Sequence, residues 1–312
     1  MSRVKMDVQL GPLHLQNPVL VASGTFGYGN EYADLVDLNR LGGIMVKGTT
    51  LNPRAGNPMP RMVETPAGCL NAIGLQNVGV EAFIREKLPF LRRYRCAVIV
   101  NIAADVREEF EQLAERLDGV EGVHALELNI SCPNQARGGI EFGVDPEATY
   151  DVVSRVRKCT RLPLIVKLSP NVTDIQVTAR SAVDGGADIL SLVNTFVGIA
   201  IDARTRRFKL ANITGGLSGP AIKPLALYAV WRVAQAVSVP IIGMGGIMNA
   251  TDAVEFLLAG ASAVAVGTAN YINPRASIEV LEGIEQYLIE QGERDVKHIV
   301  GTVQRCEPES EF

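Results

Sequence analysis

Eight short apolar runs recur along the chain, each rich in β-branched residues and bounded by turn residues. They are PVLVASG (18–24), GIMVKGT (43–49), CAVIVNI (96–102), ALELNIS (125–131), PLIVKLS (163–169), ILSLVNT (189–195), PIIGMGG (240–246) and AVAVGTA (263–269). Runs this short and continuously apolar are the pattern of strands buried on both faces. Segments with helical spacing lie between them. VREEFEQLAERL (106–117) sets Phe110, Leu113, Ala114 and Leu117 on one face, and ATYDVVSRVRK (148–158) and AVEFLLAGA (253–261) behave alike. ASIEVLEGIEQYLIEQG (276–292) ends on a glycine suited to a helix C-terminus. Eight strand–helix alternations predict an α/β fold, a (β/α)8 TIM barrel. The competing arrangement, two Rossmann-like halves, would place G-x-G-x-x-G after the first strand, where GTFGYG has the wrong spacing. The leading DVQLGPLHLQ alternates around a Gly-Pro turn and predicts an N-terminal hairpin at the bottom of the barrel. Long inserts follow strands two (50–79), four (QARGGIEFGVD, 135–145) and six (196–218). In a barrel such loops build the catalytic face.

The 312 residues are 47% apolar and 21% charged, a globular composition that fits one barrel domain over 1–312, with an acidic tail from roughly 306. A net charge of −4 without blocks of like charge offers no footprint for nucleic acid. No apolar run approaches the ~18 residues of a membrane span, and MSRVKMDVQLGP lacks the apolar segment of a signal peptide. The cysteines (Cys69, Cys96, Cys132, Cys159, Cys306) are odd in number, scattered and never in C-x-x-C spacing. That argues against a disulfide framework, a zinc site or an iron–sulfur cluster and for a cytoplasmic location with reduced thiols.

The ends of the strands carry the chemistry. Strands one to six have a polar residue at or near the C-terminal end: Ser23, Lys47, Asn101, Asn129, Lys167 and Asn194. A packed barrel interior prefers Val, Ile and Leu, and an unpaired buried amide or ammonium is costly. One such residue would serve as a rim hydrogen bond; six at equivalent positions point to a polar ligand across the top. Strands seven and eight end instead in GMGGIMNATD and VGTANYINP, where glycines let backbone N–H groups approach an anion. A ligand with a phosphate at one end and a polar body spread over six strands fits FMN. Cys132, in LNISCPN (128–134), follows the end of strand four. A thiol titrating near ~8.5 can take a proton α to a carbonyl while the neighbouring carbon gives a hydride to the flavin. Nucleophilic attack and simple packing are the alternatives. The first lacks an obvious partner, since His14 lies in the hairpin, His298 near the C-terminus and His124 at the start of strand four, the wrong end. The 135–145 segment suits a lid that excludes water, or an ordinary surface loop.

Taken in order, ASGTFG (22–27), MVKGTT (45–50), NAIGLQN (71–77), LNISCPN, IVKLSPN (165–171), LVNT (192–195), GGLSGPAIKP (215–224), GMGGI and VGTA resemble the dihydroorotate dehydrogenase family, specifically the catalytic chain of its soluble NAD-linked class 1B. The match spans nearly the whole chain. The resemblance implies an FMN barrel that oxidises dihydroorotate to orotate in pyrimidine synthesis. It places Cys132 on the family's base, which removes the C5 proton as C6 sends hydride to flavin N5. Lys47, Asn71, Ala72, Ile73, Gly74, Leu75, Asn129, Asn194 and Thr195 fall on the orotate site. Ser23, Lys47, Gly48, Asn101, Asn129 and Lys167 fall on flavin contacts, as do Val193, Gly219, Gly245, Gly246, Gly267 and Thr268. Amides match the edges of a pyrimidinedione and an ammonium suits a carboxylate. Lys167 matches a charge that develops near N1 of the reduced ring. This chain has neither a dinucleotide fingerprint nor a cluster's cysteines, so the resemblance implies a partner subunit carrying FAD and a [2Fe–2S] centre, in a heterotetramer built on a dimer of this chain.

Other readings share parts of the pattern. The fumarate-reducing class 1A enzymes share the flavin and substrate chemistry. A tRNA dihydrouridine synthase would show a basic surface and a further RNA-binding domain. A dihydropyrimidine dehydrogenase-like chain would add ferredoxin-type cysteines. A barrel for a phosphorylated sugar, or a silent flavin carrier, would share the glycine turns but not the redox reaction.

Overall fold

The structure, a computed structural model, describes residues 4–131 and 142–305. All eight apolar runs form strands of one closed parallel barrel, labelled here β1 (Val19–Val21), β2 (Gly43–Thr49), β3 (Ala97–Ile102), β4 (Ala125–Asn129), β5 (Leu164–Lys167), β6 (Ile189–Leu192), β7 (Ile241–Met244) and β8 (Ala263–Val266). Each pairs with its sequence neighbours, and β8 closes on β1 through Val264↔Val19. Every residue of β3 is buried, which explains its lack of polar alternation: one face packs inward and the other against helices.

The helices bury the faces that their spacing marks. Arg107–Leu117 buries Phe110, Leu113, Ala114 and Leu117, and Ala276–Glu290 is followed by Gly292 at φ +72°. Side-chain caps start three of them: Asp145 accepts from Ala148 N–H, Asp174 from Gln176 N–H and Asn249 from Asp252 N–H. The helical segment after β2 is irregular, with a wide turn at Phe83–Lys87 running into Leu88–Leu91, where Pro89 lacks the N–H that a regular turn would use.

The leading hairpin pairs Val8–Leu10 with Leu13–Leu15 around Gly11 at φ +53°. Leu10 and Leu15 are buried, and Gly11 sits against the carbonyl of Asp188, the residue that precedes β6. The hairpin therefore lies at the N-terminal ends of the strands. At the opposite end the inserts after β2 and β6, read from sequence as long loops, contain paired strands. Met62–Thr65, Gly68–Asn71, Thr214–Ser218 and Phe196–Ile199 form one antiparallel sheet, joined across the two inserts by Leu217↔Leu70. The insert after β4 and the tail from 306 lie mostly or wholly outside the described residues.

Candidate active site

Strand alternation sets Glu127 and Asn129 on the same face of β4, and the same alternation brings Asn101 of β3 and Ser191 of β6 inward. Asn101, Glu127 and Ser191 are fully buried, and Lys167 is 5% exposed. Buried polar groups need partners, and here they find one another. Asn101 Nδ2 donates to Glu127 Oε2 at 2.6 Å, and Ser191 Oγ donates to Glu127 Oε1 at 2.8 Å. Lys167 Nζ lies 4.0 Å from Glu127 Oε2 and donates to Ser23 Oγ at 3.1 Å. Asn101 Oδ1 is the exception: it is buried without a hydrogen-bond partner among the described residues. Leaving such an acceptor unmet costs about 1–3 kcal/mol, so it marks a place where a ligand donor belongs.

Above this floor opens a cavity of about 290 Å³, far more than the ~10–15 Å³ that a water requires. All six polar strand-end residues line it: Ser23, Lys47, Asn101, Asn129, Lys167 and Asn194. So do Asn71 to Leu75, Thr195, Gly48, Val193, Gly219, Gly245, Gly246, Gly267 and Thr268. Cys132 and residues 135–141 lie outside the described residues, so the candidate base and most of the candidate lid receive no position here.

One side of the cavity is amide-rich. Asn194 Nδ2 donates to Asn129 Oδ1 at 3.2 Å, and Asn71 Nδ2 donates to Gly216 O at 3.3 Å, a bond between the two inserts within their shared sheet. Gly74 and Leu75 turn back on themselves at φ +75° and +53°, the latter a conformation that costs a leucine about 1–3 kcal/mol. Asn77 holds that turn: its Nδ2 donates to Leu75 O at 2.7 Å while its Oδ1 accepts from Thr50 and Gly79 N–H. Lys47 is held below the usual lysine range, first by burial and then by the Arg61 guanidinium. Its side chain lines the cavity on this side.

The other side is glycine-built. Gly245 and Gly246 have φ of +128° and +76°, and Gly219 has φ +101°. A Cβ on Gly246 would lie 2.8 Å from Lys223 N, and one on Gly245 would lie 2.6 Å from Ala226 Cβ, so both turns press on the start of the helix Lys223–Ala234. Gly267 differs, since a Cβ there would meet no atom of the described residues beyond its chain neighbours closer than 3.6 Å. Its lack of a side chain matters only to something in the cavity. Thr268 Oγ1 donates to Ser218 Oγ at 2.9 Å at the same end. Glycine turns at one end, an ammonium–carboxylate floor and one buried acceptor awaiting an N–H suit a phosphorylated, N–H-bearing ring; the residues present fit FMN.

Several residues of the site escape the sequence pattern. Glu127 could have been flagged, since a carboxylate inside the apolar run ALELN needs a reason. Ser191, the small polar residue of ILSL, carries a weaker form of the same signal. Cys69 and Tyr271 line the cavity but sit in segments with no periodicity to place them. Tyr271 donates to Gly24 O at 3.0 Å, and burial chiefly pushes its phenol up to about 12, so it is neutral at working pH. The histidines lie where the sequence puts them. His124 precedes β4 at the far end, accepting from Val98 N–H at 3.0 Å, and burial lowers its pKa. Cys69, Cys96 and Cys159 are free thiols, and among the described residues there is no cluster fit for a metal and no helix long and apolar enough to cross a membrane.

Residues 5–288 match a family model described as dihydroorotate dehydrogenase. A Geotalea uraniireducens protein named dihydroorotate dehydrogenase B (NAD(+)), catalytic subunit, is 59% identical over 303 residues, which is 97% of this chain and 99% of that one. Proteins of the same name from Geotalea daltonii and Desulforudis audaxviator are each 58% identical with the same coverage.

Proposed function

The chain belongs to the dihydroorotate dehydrogenase family, and from that premise we propose that it is the FMN-bearing catalytic subunit of an NAD-linked enzyme oxidising (S)-dihydroorotate to orotate in cytoplasmic pyrimidine synthesis. The observation that carries the proposal is one cavity lined by amides and an ammonium together with glycine turns, with an unmet buried acceptor, Asn101 Oδ1, in the same lining.

Lys47 pairs with the substrate carboxylate, while the amides of Asn71, Asn129 and Asn194 meet the donors and acceptors of the pyrimidine ring. Ala72, Ile73, Gly74, Leu75 and Thr195 close around it and fix its face. Cys132 takes the proton from C5 while the C6 hydrogen leaves as hydride, and the electron pair of the C5–H bond becomes the new C5=C6 bond. FMN supplies the hydride acceptor. Ser23, Gly48, Asn101, Val193, Gly219, Gly245, Gly246, Gly267 and Thr268 would hold that cofactor, and Lys167 would offset negative charge on its ring. The insert sheet over the mouth excludes water and so strengthens each of these contacts. A partner subunit carrying FAD and a [2Fe–2S] centre, assembled on a dimer of this chain, would hand the electrons to NAD+. The relatives' name, which specifies NAD(+) and a catalytic subunit, supports this over the fumarate-reducing class and over a tRNA-modifying enzyme.

Denaturing the purified chain tests the cofactor: about one FMN released per chain is expected. Orotate should form from dihydroorotate when an artificial dye takes the electrons. A colourless chain that releases no FMN would favour a sugar-phosphate barrel, and a yellow chain that makes no orotate would favour a silent flavin carrier.

A further inference from the structure

Glu127 is wholly buried beneath the cavity and does not line it, yet three groups of the floor converge on it. Its two oxygens accept from Asn101 Nδ2 and Ser191 Oγ, and Lys167 Nζ stands 4.0 Å away, itself tied to Ser23. An ionised carboxylate only accepts, whereas a primary amide has one donating and one accepting end. Glu127 therefore determines which end of Asn101 turns away from it: the nitrogen is taken and the oxygen is left over. That oxygen is the buried acceptor without a partner, and Gly48 stands beside it, where a Cβ would come within 3.1 Å. The absence of a side chain at Gly48 keeps the acceptor open.

We propose that Glu127 is a positioning residue that locks the Asn101 amide with its oxygen toward the cavity, so that the bound ring must offer an N–H to it. The inference rests on the FMN reading. Oxidised isoalloxazine carries one ring N–H, at N3, so Asn101 selects for that edge and Glu127 enforces the selection. Lys167 and Ser191 hold the carboxylate in place, and they explain why a charged group is tolerated there: it is paired and hydrogen-bonded on both oxygens.

The test compares binding of FMN and of N3-methyl-FMN to flavin-free protein, followed by quenching of flavin fluorescence. The parent should prefer FMN by about tenfold or more, because the methyl removes the only ring donor. Glu127→Gln should keep that preference, since its carbonyl can accept from Asn101 while its amide donates to Ser191. Glu127→Ala frees the Asn101 amide and should reduce the preference to about twofold. If the alanine variant does not fold, Glu127→Asp withdraws the acceptor from Asn101 with its charge kept, and the preference should drop at least about threefold. A general loss of packing would weaken both flavins alike and leave their ratio unchanged. A parent without preference, or an Ala or Asp variant that folds and keeps the parent's ratio, overturns the assignment while leaving the FMN reading standing. A parent that binds neither flavin overturns both.

Discussion

Lys47 shows how a single residue's surroundings become a measurable dependence on pH. Burial and the nearby Arg61 cation lower its pKa, and in the proposed role only its ammonium form would pair with the substrate carboxylate. Orotate affinity should thus be constant on the acid side and fall as pH rises through the lowered pKa, earlier than an ordinary lysine near ~10.4 would allow. Arg61→Gln removes the repulsion and should move that fall to higher pH. Difference spectra of the bound flavin during orotate titrations report both; a fall only at the ordinary lysine range would contradict the lowered pKa, and an affinity flat through and beyond that range would remove Lys47 from carboxylate binding. Cys132→Ala should still bind orotate but reduce its flavin on the order of a hundredfold or more slowly in stopped flow, the usual loss when a positioned base is removed. Equal rates in variant and parent would take Cys132 out of the mechanism. At this scale the sequence was readable wherever a polar side chain interrupts an apolar strand near its end, as at Lys47, Asn101, Asn129 and Lys167. Glu127 shows the limit, because its role depends on side chains from β3, β5 and β6 that only barrel closure brings together.

The glycine turns after β7 and β8 look alike in sequence but differ in what their missing side chains spare. A valine at Gly245 would place its Cβ 2.6 Å from Ala226 Cβ at φ +128°, a strain of about 1–3 kcal/mol that must distort the turn. Gly245→Val should therefore weaken FMN binding about tenfold or more. Gly267→Ala meets no atom of the described residues beyond its chain neighbours closer than 3.6 Å, so the fold should survive with its melting temperature nearly unchanged while FMN content falls. Full flavin occupancy in both variants would move the phosphate elsewhere. The barrel strands were legible as elements because burial on both faces leaves an uninterrupted apolar run. The insert strands were not: Gly68–Asn71 is four residues long, and its Cys69 pairs with Ser218, 149 residues away. Pairing at such a distance leaves no local period in the sequence, so those segments read as loops that cover a site.

At the scale of the whole molecule, oxidising dihydroorotate and reducing NAD+ are two tasks that one chain need not perform together. The barrel builds one cavity at the C-terminal ends of its strands, which we propose takes a flavin and a small acid, and the sequence shows no dinucleotide fingerprint. The isolated chain should accordingly reduce an artificial dye with dihydroorotate but turn over NAD+ at well under about a tenth of that rate; efficient NAD+ reduction without a partner would contradict the division of labour. Eight alternations make the barrel readable from the sequence, and six polar strand ends mark the end at which its cavity opens. The joining of two inserts into one sheet over the mouth is not readable there. The most direct measurement is an anaerobic titration of the purified chain with dihydroorotate while flavin absorbance is followed. The account predicts that the yellow absorbance bleaches in proportion to added substrate until about one equivalent per FMN is present, with orotate formed in equal amount. An FMN-loaded chain whose absorbance stays unchanged at excess dihydroorotate would contradict it.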